Sequence, residues 1–336
     1  MRRVLITLPV VFLMSSSAYA DGIHQHDHHV VPTLKKQVPS RITYGENSAT
    51  LTFGPLDLPT GHNEGDMGDS IPRFHFQLPE DKYLIGFKSA LTTVDGKALP
   101  KNYLHHILMI NNSKPSLTCP GEPLFFGGAG LEMAETHFPD GYGVKLAKDD
   151  RLMTVVAFYH GAPPTKNVVA TFTMYFAPKG QPIQELDIYQ VGVNIVCFTK
   201  FGDRPPDQTD EGIEIKPGVQ VHTAPLKFSI DGCVKYAYPH GHDELLMIAL
   251  ENKTKKQTLL RTVPDVERDG TLREFLPHQI YHDSHGFPVN TVDDYEMVMV
   301  HHHPLEKTKP QYGMGNYLLY MTRGACPDQH TTAAVQ

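Results

Sequence analysis

Twenty histidines in 336 residues are more than packing requires, and their grouping carries the first chemical content. His105 and His106 are adjacent, His160 follows Phe158-Tyr159, and His240-Gly241-His242 forms a His-x-His pair. Side chains alternate between the two faces of a strand, so His240 and His242 point the same way and can close on one ion. His105 and His106 would point to opposite faces of a regular strand, so they can share an ion only at a bulge or a strand end. Imidazole serves copper, zinc, iron and nickel alike, whereas a thioether narrows the choice toward copper because a soft sulfur stabilises Cu(I). Met314, in Tyr312-Gly313-Met314-Gly315-Asn316, is the candidate thioether. Taken alone, a methionine beside a strand is more often core filler.

The remaining histidines have blander readings. His24, His26, His28 and His29 lie in a polar segment with no apolar pattern, which is expected to be mobile. They fit a low-affinity copper entry point or a solvated tail equally well. His301-His302-His303 precede Pro304 and read as an exposed polar loop with a competing ligand at most. His62, His75, His137, His222, His278, His282 and His285 read as structural or exposed, His137 being the one near the first histidine group. Asp283-Ser284-His285 and Asp243-Glu244 supply fragments of a hydrolase triad, but no Gly-x-Ser-x-Gly elbow accompanies them.

The elements that must position these groups read as strands. Gly 27 and Pro 27 punctuate the chain at short intervals, and the runs between them are rich in Val, Ile, Phe, Tyr and Thr, without long helical periodicity. The first series of strand-like runs comprises 49–53, 73–77, 83–89, 103–110, 151–159 and 168–176. Pro178-Lys179-Gly180 breaks it, and a second series follows over 186–197, 220–229, 244–252, 258–263, 295–300 and 315–322. The expectation is an all-β chain of two tandem antiparallel sandwich domains, residues 41–180 and 181–325, with a His-rich segment over 21–40 and a tail over 326–336.

Arg2-Arg3, the apolar run Val4 to Met14 and Ala18-Tyr19-Ala20 read as a secretory signal over residues 1–20. The expected location is outside the cytoplasm, the periplasm if the source is bacterial, and no later stretch is long and apolar enough to span a bilayer as a helix. The net charge of −7, about −9 without Arg2 and Arg3, argues against a nucleic-acid partner. Cys119, Cys197, Cys233 and Cys326 lack any Cys-x-x-Cys spacing, which speaks for one or two disulfides over a zinc-thiolate site, with Cys233 to Cys326 the favoured pair.

Tyr103-Leu104-His105-His106-Ile107-Leu108, Phe126-Gly127-Gly128, Phe138-Pro139-Asp140-Gly141-Tyr142-Gly143 and Phe158-Tyr159-His160 resemble, in order and spacing, the first domain of the peptidylglycine alpha-hydroxylating and dopamine beta monooxygenases. Lys216-Pro217-Gly218, Tyr238-Pro239-His240-Gly241-His242 and Gly313-Met314-Gly315-Asn316-Tyr317-Leu318-Leu319-Tyr320 continue the likeness, so that it covers about residues 48 to 323. The resemblance implies two jelly-roll-like domains holding two copper ions across a solvent-filled cleft. His105, His106 and His160 match an electron-supplying copper, while His240, His242 and Met314 match the copper where oxygen binds and a substrate C–H bond is broken. Ascorbate is the implied reductant, and O2 and a small-molecule substrate are the implied partners; the cofactor carries the difficult chemistry.

Departures from the pattern bear on the substrate. Tyr238 stands where peptide-amidating members carry an arginine, Leu318 where they carry a tyrosine, and Phe158 where they carry a glutamine, while Asn316 is retained. Without that arginine a peptide carboxylate has no partner, so a less charged small molecule is expected near Tyr238 and Asn316. The competing expectation is a non-catalytic copper-binding or copper-delivery protein on the same scaffold. The sequence leaves the oligomeric state open.

Overall fold

The computed structural model describes residues 39–58, 73–158, 163–193, 195, 208–209, 212–305 and 311–327. The signal segment, the histidines of the 21–40 segment, His62, His160 and Cys197 lie outside the described residues. The chain is all-β, with twenty-four described strands, two short 3-10 turns and no α-helix among the described residues. Accordingly, no described helix is long and apolar enough to cross a membrane.

The first sandwich packs a seven-stranded sheet on a four-stranded one. The larger sheet contains β1 (Ser40–Tyr44), β2 (Ser48–Leu58), β4 (Lys82–Thr93), β7 (Glu135–His137), β8 (Tyr142–Leu146), β10 (Thr165–Phe176) and β11 (Gln184–Glu185). The smaller contains β3 (Arg73–Phe76), β9 (Leu152–Phe158), β5 (Leu104–Pro115) and β6 (Pro123–Gly130), in that order. Phe53 meets Phe74 edge-on at 6.3 Å between the sheets. A Cβ on Gly127 would come within 3.0 Å of the Phe87 ring, so the absent side chain lets that ring lie against β6. Pairing is antiparallel except for β11, which runs parallel to β8.

The second sandwich packs β12 (Asp187–Val193), β24 (Gly315–Arg323), β16 (Gly232–Gly241) and β21 (Tyr281–Val289) against β15 (Gly218–Leu226), β22 (Tyr295–His303), β17 (Leu245–Asn252) and β18 (Gln257–Thr262). Two small ribbons complete it: β13 (Gln208–Thr209) with β14 (Gly212–Ile215) and β23 (Gln311–Gly313), and β19 (Asp265–Val266) with β20 (Leu272–Glu274). Strand pairing changes over between β11 and β12, and the sandwiches share one hydrophobic core within a single compact unit.

The seam between the sandwiches positions the site. Alternation along β16 sends Tyr236, Tyr238 and His240 to one face, and their ladder partners Tyr320, Leu318 and Asn316 on β24 share it. That face meets the first sandwich: the Tyr236 hydroxyl lies 3.4 Å from Thr136 Oγ1, Tyr238 donates to the Met133 carbonyl, and Tyr320 donates to the Phe126 carbonyl at 3.1 Å. Phe138 packs against two of these rings, edge-on to Tyr236 at 5.6 Å and tilted to Tyr320 at 4.5 Å. The opposite face packs on β17 and β22, so β16 is buried on both sides along nearly its whole length.

Cys233, at the start of β16, is bonded to Cys326 just beyond β24, which ties the far end of this pair of strands. Cys119 is disulfide-bonded as well. His301 to His303 are not a loop, as the sequence suggests; they end β22, with His301 and His303 buried and His302 exposed. Period-two alternation continues through the run, which is why only the middle imidazole faces water.

Candidate metal centre

Four histidines from the two sandwiches converge at one rim of the seam. On β5, the pairing with β9 steps from Leu104 opposite Phe158 to His106 opposite Ala157, so an extra residue bulges at this point. The bulge brings adjacent imidazoles to the same side, with ring centroids 3.9 Å apart. His240 closes β16 and His242 follows it, their rings 5.3 Å apart. His106 lies 4.7 Å from His240, and His105 lies 5.8 Å from His242, centroid to centroid.

Two ligand triads result, His105, His106 and His242, and His106, Glu132 and His240, with the ligand atoms of each within 4.8 Å of one another. The grouping differs from the resemblance, which puts His105 and His106 with one ion and His240 and His242 with another. His106 belongs to both triads.

Glu132 carries no spacing signal in the sequence, standing alone in the loop after β6. It is 4 % exposed and accepts a 2.5 Å hydrogen bond from His240 Nδ1. Gly130 makes room for it, because a Cβ there would lie 2.6 Å from Glu132 Oε2 and 2.9 Å from the His105 carbonyl. His242 is tethered through a hydrogen bond to the Tyr312 backbone. Holding one ring nitrogen on a carboxylate or carbonyl fixes the tautomer and leaves the other for a metal, the usual support of a metal-bound histidine.

Burial, and then repulsion from His240, pushes the His105 pKa down to about 4. Burial and neighbouring imidazoles hold His106 and His242 well below the ordinary value. His105, His106 and His242 are therefore neutral near pH 7, the protonation state that coordination requires. An unfolded chain, with histidine pKa near 6.5, takes up protons that the folded one refuses. Metal-free protein is thus expected to lose stability as pH falls below about 6.5 and to go on losing it to about 4 and lower. Thermal melts across that range, on wild type and His106→Asn, check this; an equal slope in the variant would contradict it.

The cleft is lined by His105, His106, Leu131, Glu132, His240, Gly241, His242, Asp243, Leu272 and Gln311, and encloses about 30 Å³. Met314 is not among the lining residues. Its carbonyl accepts the His242 amide at 3.4 Å, which sets its backbone opposite His242. Tyr238 and Asn316, the expected substrate contacts, are 5 % and 6 % exposed and packed in the seam. His137 is exposed and paired with Glu135.

Comparison with known proteins gives no assignment. No family model matches the chain, and no curated protein matches it. Solved structures matched include the major capsid protein P2 from bacteriophage PM2, 9 % identical, covering 86 % of this chain and 96 % of that chain with a TM-score of 0.33.

Proposed function

We propose that the protein is an exported copper-dependent monooxygenase that uses ascorbate and O2 to hydroxylate a small, weakly charged molecule, with its metal bound at the seam. The observation that carries this reading is the meeting of His105 and His106 with His240 and His242 across two sandwiches, with Glu132 behind His240. The donor set suits copper. It is made of neutral imidazoles with one carboxylate, and Met314 offers a thioether from the strand position opposite His242.

In this reading His105, His106, His240 and His242 hold the metal, and Glu132 and the Tyr312 carbonyl orient two of them. Bound copper supplies one-electron and O2 chemistry. The seam contributes an aromatic wall: Tyr236, Tyr238 and Tyr320, all buried, stand on the inner side of the ligands. The electron-supplying and oxygen-binding coppers of the resemblance would share this rim, not stand apart. The disulfide between Cys233 and Cys326 supports an oxidising compartment.

A copper-delivery role is the second reading, favoured by the burial of Tyr238 and Asn316. Oxygen uptake with ascorbate in the copper-loaded protein separates the two. An enzyme couples uptake to a hydroxylated product when a substrate panel is added; a carrier hands copper to a competing chelator within minutes and forms no product.

Glu132→Gln tests the orienting role, since outer partners of ligating histidines contribute about 10–100-fold in metal affinity. Competition titration is expected to show a loss in that range. Unchanged affinity would remove Glu132 from the site.

A further inference from the structure

The second sandwich contains a histidine group that the seam does not use. His301 is fully buried, and neither of its ring nitrogens has a hydrogen-bond partner among the described residues. An imidazole needs at least one N–H satisfied, and burying it without a partner costs free energy that packing alone does not require. The His222 ring lies 6.3 Å away, centroid to centroid, at 72°. Two imidazoles bound to opposite sides of one ion, with metal–nitrogen distances of about 2 Å, have their rings separated by about 6 Å.

A third donor stands on the same face. Met299 is fully buried, directly opposite His222 in the β15–β22 ladder and two residues before His301. With period-two alternation all three side chains project into the space between the sheets. Glycines face them. A Cβ on Gly313 would lie 2.6 Å from both His301 Nε2 and Ile215 Cδ1, and one on Gly315 would lie 2.5 Å from Ile248 Cγ2 and 3.0 Å from Met299 Sδ. Met314 stands between these glycines, at the junction of β23 and β24.

We infer that His222, His301 and Met299 form a second, buried metal position that takes copper(I). Charge and softness select the ion. The cost of burying an ion rises with the square of its charge, so a divalent ion with two neutral imidazoles and a thioether pays about four times what a monovalent one pays. Thioether with imidazole is also a donor set that favours Cu(I) over the harder divalent ions. The position lies close to His242: His301 pairs with Leu245 in the β17–β22 ladder, and the Leu245 amide donates to the His242 carbonyl at 3.4 Å. It therefore places a reduced copper next to the seam, as a store or loading point for the ligands there.

The test is an anaerobic titration of the mature chain with Cu(I) against a bicinchoninate competitor, with X-ray absorption on the loaded samples. Met299→Leu conserves core volume and is expected to fold, which a thermal melt verifies, and His222→Ala removes an imidazole that is not fully buried. Each is expected to lose one retained Cu(I) equivalent. In a His106→Ala background, the copper that remains should show a sulfur neighbour that Met299→Leu abolishes and Met314→Leu leaves intact. If Met299→Leu and His222→Ala both retain every equivalent and the sulfur signal, the inference is wrong. The same holds if the position prefers Zn(II). The seam reading fails separately, if His106→Ala loses no copper while the Met299 and His222 variants do.

Discussion

His106→Ala is expected to abolish copper retention at the seam altogether, not to remove one ion of two. His106 is common to both triads, and the imidazoles of the first and second sandwiches approach each other through it, 3.9 Å from His105 and 4.7 Å from His240. Losing an orienting partner already weakens a site about 10–100-fold, so losing a shared ligand should weaken it by at least about a hundredfold, with oxidation of ascorbate falling in proportion. Equilibrium dialysis followed by metal analysis measures this. The metal-free variant should fold and should be less sensitive to acid than wild type, because a neutral imidazole that resists protonation has been removed. A variant that retains wild-type copper would show that His106 is not a ligand.

The second large effect concerns the frame that holds the seam. Cys233 and Cys326 are 93 residues apart in sequence, and the bond between them closes β24 onto β16 at the end opposite the histidines. In the chain-entropy picture a loop of this length restricts the unfolded chain enough to contribute about 4–5 kcal/mol, and measured values fall mostly at 2–4 kcal/mol. Replacing both cysteines by serine is expected to lower stability by about 2–5 kcal/mol, a drop in Tm of about 3–8 °C for a chain of this size. Denaturant unfolding under non-reducing conditions gives the value. A loss below about 1 kcal/mol would mean that the loop is already constrained in the unfolded chain.

Runs such as 83–89, 168–176 and 295–300 are legible in the sequence because one face is wet and alternation survives; they fall within β4, β10 and β22. β16 is not, because aromatic residues of one face bury against the first sandwich while the other face fills the second, leaving Cys-Val-Lys-Tyr-Ala-Tyr without a period. The motif histidines are legible one by one, and the bulge that His105-His106 requires is present at β5. Their grouping is not, since it depends on how two sandwiches dock, through side chains distant in sequence such as Phe138 against Tyr320. Glu132 is invisible for the same reason: it reaches His240 across 108 residues. His301 to His303 read as a loop because three polar residues before a proline hide the continuing alternation of β22.

The sharpest test of one shared seam centre is electron paramagnetic resonance of the Cu(II)-loaded mature chain, with copper counted per chain, for wild type, His106→Ala and His240→Ala. One shared centre requires that a substitution from either sandwich change the whole seam signal and its copper content. If His106→Ala and His240→Ala each remove one ion and leave the spectrum of the other untouched, the histidines form two independent sites and the shared centre is wrong.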